Sequence, residues 1–222
     1  VAILDMAEGG EALAGEIGAR SYRADVTSED QMSAAVAAAA EVHGPARILI
    51  CCAGIAPAAK TAGSKGPHPM DMFARVIDVN LTGTFRAVSL AAQGMREAAP
   101  LTDDGERGAI VMTASVAAFE GQMGQAAYAA SKGGVAALTV PVARDLHRDG
   151  IRVNAIAPGT FATPMLKGLP DEVQQSLAAQ VPFPARLGDP GEFAETACFL
   201  IETGYMNAAV VRLDGAIRMG VR

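Results

Sequence analysis

Ser115, Tyr128 and Lys132 are the residues whose types and spacing reach furthest toward chemistry. Tyr128-Ala129-Ala130-Ser131-Lys132 puts a phenol and an ammonium one helical turn apart on one face. That spacing predicts that the ammonium stabilises a phenolate and draws the tyrosine pKa down from about 10 toward neutrality. A phenol so tuned is a general acid and base usable near pH 7. Ser115 adds a hydroxyl to hold a substrate oxygen beside the phenol. The set suits moving a proton on and off an alcohol while another group takes the hydride. A tyrosine four residues before a lysine is common, and most such pairs lie on surfaces. Context separates this one. Ile110-Val111-Met112-Thr113 reads as a buried strand ending just before Ser115, and Tyr128 and Lys132 open the next helix. Ser115 then sits at the carboxyl end of a strand, where open α/β sheets place ligands.

The elements that must position these residues alternate along the chain. Strands are expected over residues 1–4, 21–24, 47–51, 109–113, 151–156 and 209–213. Helices are expected over 10–17, 70–96, 126–148 and 191–202, and another, opened by a capping box at Ser28 and Gln31, runs to about His43. The long helix carries an irregularity near Gly83, and Pro141 predicts a kink in the helix of Tyr128. Residues 55–68 read as a long loop, and 164–180 as one or two short helices. This alternation implies right-handed βαβ units and a parallel sheet covered on both faces: a single-domain, Rossmann-like, doubly wound α/β fold. Val135, Ala136, Leu138, Val140, Val142 and Leu146 make the helix of Tyr128 apolar nearly all round. Such a helix needs two covers, its own sheet and either the rest of the monomer or a second subunit; a homo-oligomer is expected.

Composition narrows the function classes. The chain has 222 residues, half of them apolar, enough for one substantial domain. Its formal net charge is -6, with no basic block, which argues against nucleic acid as a partner. No run of 18 apolar residues argues for a membrane span, and residues 1–5 lack signal-peptide features. Three cysteines, Cys51, Cys52 and Cys198, offer no metal-ligand spacing, and their odd number suits a reducing compartment, the cytoplasm or a mitochondrial matrix. No metal is expected. His43, His68 and His147 are scattered, and solvated or capping roles are expected of them.

With these residues in hand, essentially the whole chain resembles the short-chain dehydrogenase/reductases. Ser115, Tyr128 and Lys132 match the catalytic residues of that family in order and spacing, and Asn80, in Asp78-Val79-Asn80-Leu81, matches the asparagine that completes its proton relay. The resemblance implies that Lys132 binds the nicotinamide ribose and that Asn80 holds a water linking Lys132 to solvent. It sets Ala157-Pro158-Gly159 along the nicotinamide, Phe161 and Thr163 against the cofactor, and Asp25-Val26 at the adenine. Cys52, Ala53 and Gly54 occupy further cofactor positions, in a segment Cys51-Cys52-Ala53-Gly54 where the family usually has Asn-Asn-Ala-Gly. Cys51 thus replaces an asparagine that braces the sheet. The segments 115–122 and 186–190 and the tail 212–219 resemble, more narrowly, the type 2 3-hydroxyacyl-CoA dehydrogenases, also called 17β-hydroxysteroid dehydrogenase type 10-like proteins. The loop carrying Lys60-Thr61 and Lys65-Gly66 resembles theirs as well. The family's glycine-rich turn, Thr-Gly-x-x-x-Gly-x-Gly, and its βα unit are absent from these residues, so weak cofactor binding or poor stability of the 222 residues alone is expected.

Asp5 ends the first strand, where a carboxylate accepts both ribose hydroxyls of an adenosine and repels a 2′-phosphate. NAD is therefore expected rather than NADP, unless Asp5 is only a surface residue. Gln125 is positioned to touch an acyl group or to cap the helix of Tyr128. Residues 165–180 read as a mobile cover whose Met165, Leu166 and Leu169 suit an acyl or steroid body, and equally ordinary packing. The expected activity is NAD-dependent interconversion of 3-hydroxyacyl-CoA and 3-oxoacyl-CoA, with an acyl-CoA substrate and a homotetramer implied by the resemblance. A 3-oxoacyl-carrier-protein reductase, a hydroxysteroid or secondary-alcohol dehydrogenase, and a non-catalytic binding protein are the alternatives.

Overall fold

Apolar runs bounded by turn residues become strands, and the alanine-rich stretches between them become helices. The computed structural model of the chain describes residues 1–64, 66–163, 166 and 170–221, the side chain of Val173 excepted. The first elements are β1 (Ala2–Asp5), α1 (Gly10–Glu16), β2 (Arg20–Arg23), α2 (Glu29–His43) and β3 (Ile48–Cys51). A two-residue hairpin follows, β4 (Ala62–Gly63) with β5 (Gly66–Pro67), inside what the sequence reads as plain loop. Then come α3 (Met70–Ile77), a π-helical turn (Asp78–Thr82), α4 (Gly83–Glu97), β6 (Gly108–Thr113), α5 (Ala126–Asp145) and β7 (Ile151–Pro158). The chain continues through α6 (Asp171–Ala178), α7 (Pro190–Glu202) and β8 (Val210–Leu213).

The strands pair in parallel in two groups. β1 pairs with β2, and β3-β6-β7-β8 form a four-stranded sheet. The two groups share no ladder among the described residues, which leaves β3 an edge strand. Ile48 and Ile50 on it are 50% and 42% exposed, whereas Ile110, Val111 and Met112 on β6 are fully buried. Successive strand residues point to opposite faces. Ile110 and Met112 accordingly pack with Met32, Val88, Met95 and Val153 in one core, against which Leu4, Tyr22 and Val26 also lean. Val111 packs on the other face with Ile156, Ala197 and Leu200. The one core thus joins both groups of strands. Each fully buried Ile, Leu, Met or Val adds about 1.5–3 kcal/mol relative to exposure.

Two helices carry most of the site. Ser28 caps α2, accepting from the Gln31 N–H at 3.3 Å. The irregularity expected near Gly83 is the π-turn, closed by the Gly83 N–H on the Asp78 carbonyl. α5 stops three residues before the expected end, and a single 3-10 turn, His147–Asp149, takes over. Pro141 lies inside α5. Gly134 lets α5 ride against the π-turn: a Cβ there would stand 2.7 Å from Leu81 Cδ2.

A buried cation secures the far end of the sheet. Arg152 on β7 is 7% exposed, and its guanidinium donates to both oxygens of Glu106, at 2.9 and 3.0 Å. It also donates to the carbonyls of Leu200, Ile201, Thr203 and Met206, the orphan acceptors at the end of α7 and just beyond. Arg152→Met is expected to cost about 3 kcal/mol, because it strands a carboxylate and several carbonyls. Arg152→Lys is expected to recover little, since one ammonium has three protons and no fork. Urea unfolding monitored by circular dichroism measures both; a loss under about 1 kcal/mol in the Met variant would show the site to be redundant.

Candidate active site

The carboxyl ends of the parallel strands converge on one region. Asp5 ends β1, Asp25 and Val26 follow β2, Cys52–Gly54 follow β3, Ser115 follows β6, and Pro158–Gly159 close β7. Of the other expected site residues, Asn80 lies on the π-helical turn, Tyr128 and Lys132 on α5, Phe161 and Thr163 beyond β7, and Gln125 just before α5.

Ser115 is 7% exposed, with extended backbone, and heads the 3-10 turn Val116–Ala118. Its Oγ accepts from the Ala117 N–H at 3.1 Å, which leaves the hydroxyl proton free to donate. It lies in hydrogen-bond contact with the Tyr128 phenol. Tyr128 sits in the first turn of α5, so its ring faces the end of β6. Burial raises the phenol pKa above its ordinary value, and the Ser115 hydrogen bond pulls it down by less. This reverses the direction expected from the spacing alone. The reason lies in Lys132: its Nζ is 5.9 Å from the Tyr128 ring centroid and donates to the Thr113 carbonyl at 2.7 Å. The ammonium sits under the ring and does not offset the phenol's desolvation. Lys132 is itself 4% exposed, and burial pushes its pKa down to about 8.

Asn80 projects from the π-turn and is completely buried. Its amide is saturated. Oδ1 accepts from the Ile55 N–H at 2.8 Å, and Nδ2 donates to the Ile55 carbonyl at 2.9 Å and to Ser131 Oγ at 3.0 Å. Ser131 in turn donates to the Tyr128 carbonyl at 2.7 Å. Thr84 Oγ1 donates to the Asn80 carbonyl at 2.7 Å. The chain from Ile55 through Asn80 and Ser131 to Tyr128 locks the β3 loop to α5. Sequence reasoning missed Ser131, although it stands inside the quoted motif three residues after Tyr128, on the same helix face.

The residues expected at the cofactor have distinct settings. Asp5 is exposed, and one of its oxygens accepts from the Ala7 N–H at 2.8 Å. Asp25 accepts from the Thr27 N–H and hydroxyl at 2.9 and 2.8 Å, bonds that hold its carboxyl below the usual range. Arg86 donates to the Val26 carbonyl. A Cβ on Gly54 would lie 3.3 Å from Asn80 Oδ1 and 3.5 Å from Lys132 Nζ, so the bare backbone there keeps space beside the ammonium open. Ala53 is exposed next to it. Cys51 is 8% exposed, and burial pushes its thiol up to about 12, while Cys52 on the opposite face is exposed. Phe161 bridges to Gly188 and meets the Phe193 ring edge-on at 6.5 Å, and the Thr163 N–H returns to the Phe161 carbonyl at 2.8 Å. Met165 and Leu169 of the expected cover lie outside the described residues; α6 is the helix described in that segment.

Gln125 immediately precedes α5 and makes no side-chain cap to it. Its Oε1 accepts from the Gln122 N–H at 3.0 Å. It lines a cavity of about 340 Å³ with Lys60–Ala62, Gly121–Gly124, Ala126 and Ala129. Among the described residues no group of three His, Cys, Asp or Glu side chains stands close enough to hold a metal ion, and no helix is long and apolar enough to cross a membrane.

A family model described as "Enoyl-(Acyl carrier protein) reductase" matches residues 1–217. The chain is 52% identical over 215 residues to the human protein named "3-hydroxyacyl-CoA dehydrogenase type-2", covering 95% of this chain and 82% of that one. The bovine protein of the same name is 54% identical over 198 residues, which are 88% of this chain and 76% of that one. A solved structure described as 3-hydroxyacyl-CoA dehydrogenase type-2 from Mycobacterium avium superposes with a TM-score of 0.95 at 46% identity, covering 100% of this chain and 87% of that chain.

Proposed function

This chain belongs to the short-chain dehydrogenase/reductases, oxidoreductases that use a nicotinamide cofactor, and from that premise we propose that it interconverts 3-hydroxyacyl-CoA and 3-oxoacyl-CoA with NAD. The observation that carries the reading is the half-buried Tyr128 phenol, set beside Ser115, which draws its pKa down, with the buried Lys132 ammonium beneath its ring. The names of the relatives at 52% and 54% identity support the acyl-CoA substrate. Asp5 at the end of β1 supports NAD over NADP, because its carboxylate suits ribose hydroxyls and repels a phosphate.

The residues present fit the cofactor. The backbone at Gly54 leaves room beside Lys132 Nζ, and Asp5, Asp25 and Val26 stand at the strand ends where an adenosine would lie. Bound nicotinamide supplies a two-electron hydride donor and acceptor. The proton is the work of the chain. In reduction, Tyr128 as neutral phenol donates its proton to the carbonyl oxygen of the substrate. Ser115 turns its hydroxyl proton from the phenol to the same oxygen and stabilises the charge that develops there. Lys132 holds the ribose and the positive field behind the phenol, and Asn80, through Ser131, fixes the helix turn that carries both. Pro158, Gly159, Phe161 and Thr163 form the wall beyond β7, and Cys52 and Ala53 the wall beyond β3. The three free thiols support a reducing compartment, cytoplasm or mitochondrial matrix. Phe85 and Val140, 47% and 39% exposed on α4 and α5, support a homo-oligomer, a tetramer by resemblance.

Acetoacetyl-CoA with NADH is expected to give turnover, with NADPH at least about tenfold poorer in kcat/KM, the scale of a repelled phosphate. Comparable use of NADPH would remove the role of Asp5, and turnover of acetoacetyl-carrier-protein in place of the CoA ester would move the assignment to the carrier-protein reductases. A folded protein inert with all of these and with secondary alcohols would be a binding protein.

A further inference from the structure

Four charges meet beside the stretch that leads to Tyr128, three of them distant from it in sequence. Arg212, next to last in β8, reaches across to Glu120 and binds both carboxylate oxygens at 3.0 Å. Its Nε donates to Asp214 at 2.7 Å, and Arg218 completes the set, 3.4 Å from Glu120 and 3.2 Å from Asp214. Arg212 also donates to the Ile217 carbonyl at 3.1 Å and stacks its guanidinium 5.3 Å above the Phe119 ring. Ile217 beneath is 1% exposed, packed with Val116 and Val181. Just beyond the cluster, the Met123 N–H donates to the Val221 carbonyl at 3.0 Å. The tail after β8 is thereby clamped along the whole stretch that leads from Ser115 toward Tyr128.

That stretch is a cavity wall. Gly121, Gln122, Met123, Gly124 and Gln125 follow Glu120 directly and line the 340 Å³ cavity, with Ala126 and Ala129 on the helix of Tyr128. Gly54, Pro158 and Gly159, on the cofactor side, do not line it, and neither do Ser115 and Tyr128; it meets the helix of Tyr128 through Gln125, Ala126 and Ala129. We propose that the cluster of Glu120, Arg212, Asp214 and Arg218 is a positioning device: it seats the 119–125 loop against the tail and so sets the wall of the cavity that receives the part of the acyl-CoA beyond its reacting carbonyl. The four residues touch no reacting atom. They act through Gly121–Gln125, and a bidentate arginine–carboxylate pair gives the loop a fixed register that a lone ammonium would not. The proposal rests on the acyl-CoA reading for the identity of the cavity's occupant, and on geometry alone for the clamp.

The test uses the full protein with Glu120→Gln, Arg212→Met and the double variant, and Arg96→Gln as a control that breaks the remote Arg96–Asp149 pair, whose atoms stand 3.1 Å apart. KM for acetoacetyl-CoA is expected to rise about tenfold in Glu120→Gln and in Arg212→Met, with the double variant no worse than the singles, as for partners in one networked ion pair. KM for NADH and the pH profile of kcat should stay within about twofold of the parent. Amide hydrogen exchange should quicken at residues 119–125 and not at 52–54. Equal rises in both KM values, additive single effects, or unchanged exchange at 119–125 would overturn the proposal. A parent inert with acetoacetyl-CoA would sink the acyl-CoA reading alone, and the exchange of 119–125 in the milder Glu120→Gln variant would still decide the clamp.

Discussion

Tyr128→Phe is expected to lower turnover about 10³- to 10⁴-fold, the range that positioned proton transfer supplies. The substitution removes one oxygen, keeps the ring, and leaves Ser115 bonded to the Ala117 N–H, so fold and cofactor affinity should stay close to the parent. Turnover within tenfold of the parent would take the phenol out of the chemistry. The environment adds a direction to this expectation. Burial holds the phenol above its ordinary pKa, so the neutral form rests in the site at neutral pH. Reduction uses that form as it stands, since the phenol gives its proton to the carbonyl oxygen. Oxidation must first form the phenolate against desolvation. The rate of alcohol oxidation should therefore climb with pH through the alkaline range, while ketone reduction stays flat and then declines. Parallel pH profiles for the two directions would contradict the assignment.

Lys132→Met is expected to lose about 10³-fold in turnover, because Lys132 backs the proton donor and holds the ribose in the proposed mechanism, and yet to be more stable than the parent at pH 7. Lys132 is 4% exposed, and burial drags its pKa from 10.5 to about 8. At pH 7 the ammonium is charged in both folded and unfolded chains, so the whole cost of desolvating it falls on the fold, about 3 kcal/mol. Losing the hydrogen bond to the Thr113 carbonyl takes back about 1 kcal/mol. As pH rises past 8 the folded protein releases this proton while the unfolded chain still holds its own, and the parent gains stability. The advantage of the variant is then largest below pH 8 and fades toward 10.5. Denaturation of both proteins across pH 6–10 measures this; a Met variant less stable than the parent at pH 7 would mean that the buried charge is compensated.

The alternation of strands and helices was legible because each apolar run is bounded by glycine, proline or a capping residue; Ser28 and the break before Gly83 could be placed from single residues. The spacing of Tyr128 and Lys132 put phenol and ammonium on one face but said nothing of how dry that face is. Desolvation, a property of what packs above, decides the Tyr128 shift and was invisible in a five-residue motif. The β4–β5 hairpin escaped because two-residue strands carry no period. The clamps escaped for another reason: Arg152 finds Glu106 across 46 residues and Arg212 finds Glu120 across 92, and no local pattern marks which arginine meets which carboxylate. Ser131 was within reach, since an i, i+3 count from Tyr128 already places it on the inner face.

The π-turn at Asp78–Thr82 has a consequence for how this protein tolerates insertions and deletions. A wide turn accommodates one residue more than an α-helix would, so it reads as an insertion absorbed into a finished helix. Removing one residue between 78 and 82 would let α3 and α4 fuse into a regular helix with better backbone hydrogen bonding. It would leave the two flanking helices nearly in phase, since five residues of the wide turn sweep about the angle that four do in an α-turn, but it would lose the bulge from which Asn80 reaches Ile55 and Ser131. The extra residue lets Asn80 project from the middle of a helix whose two halves keep their packing. A length change there is expected to be harsher than any single substitution at the same positions.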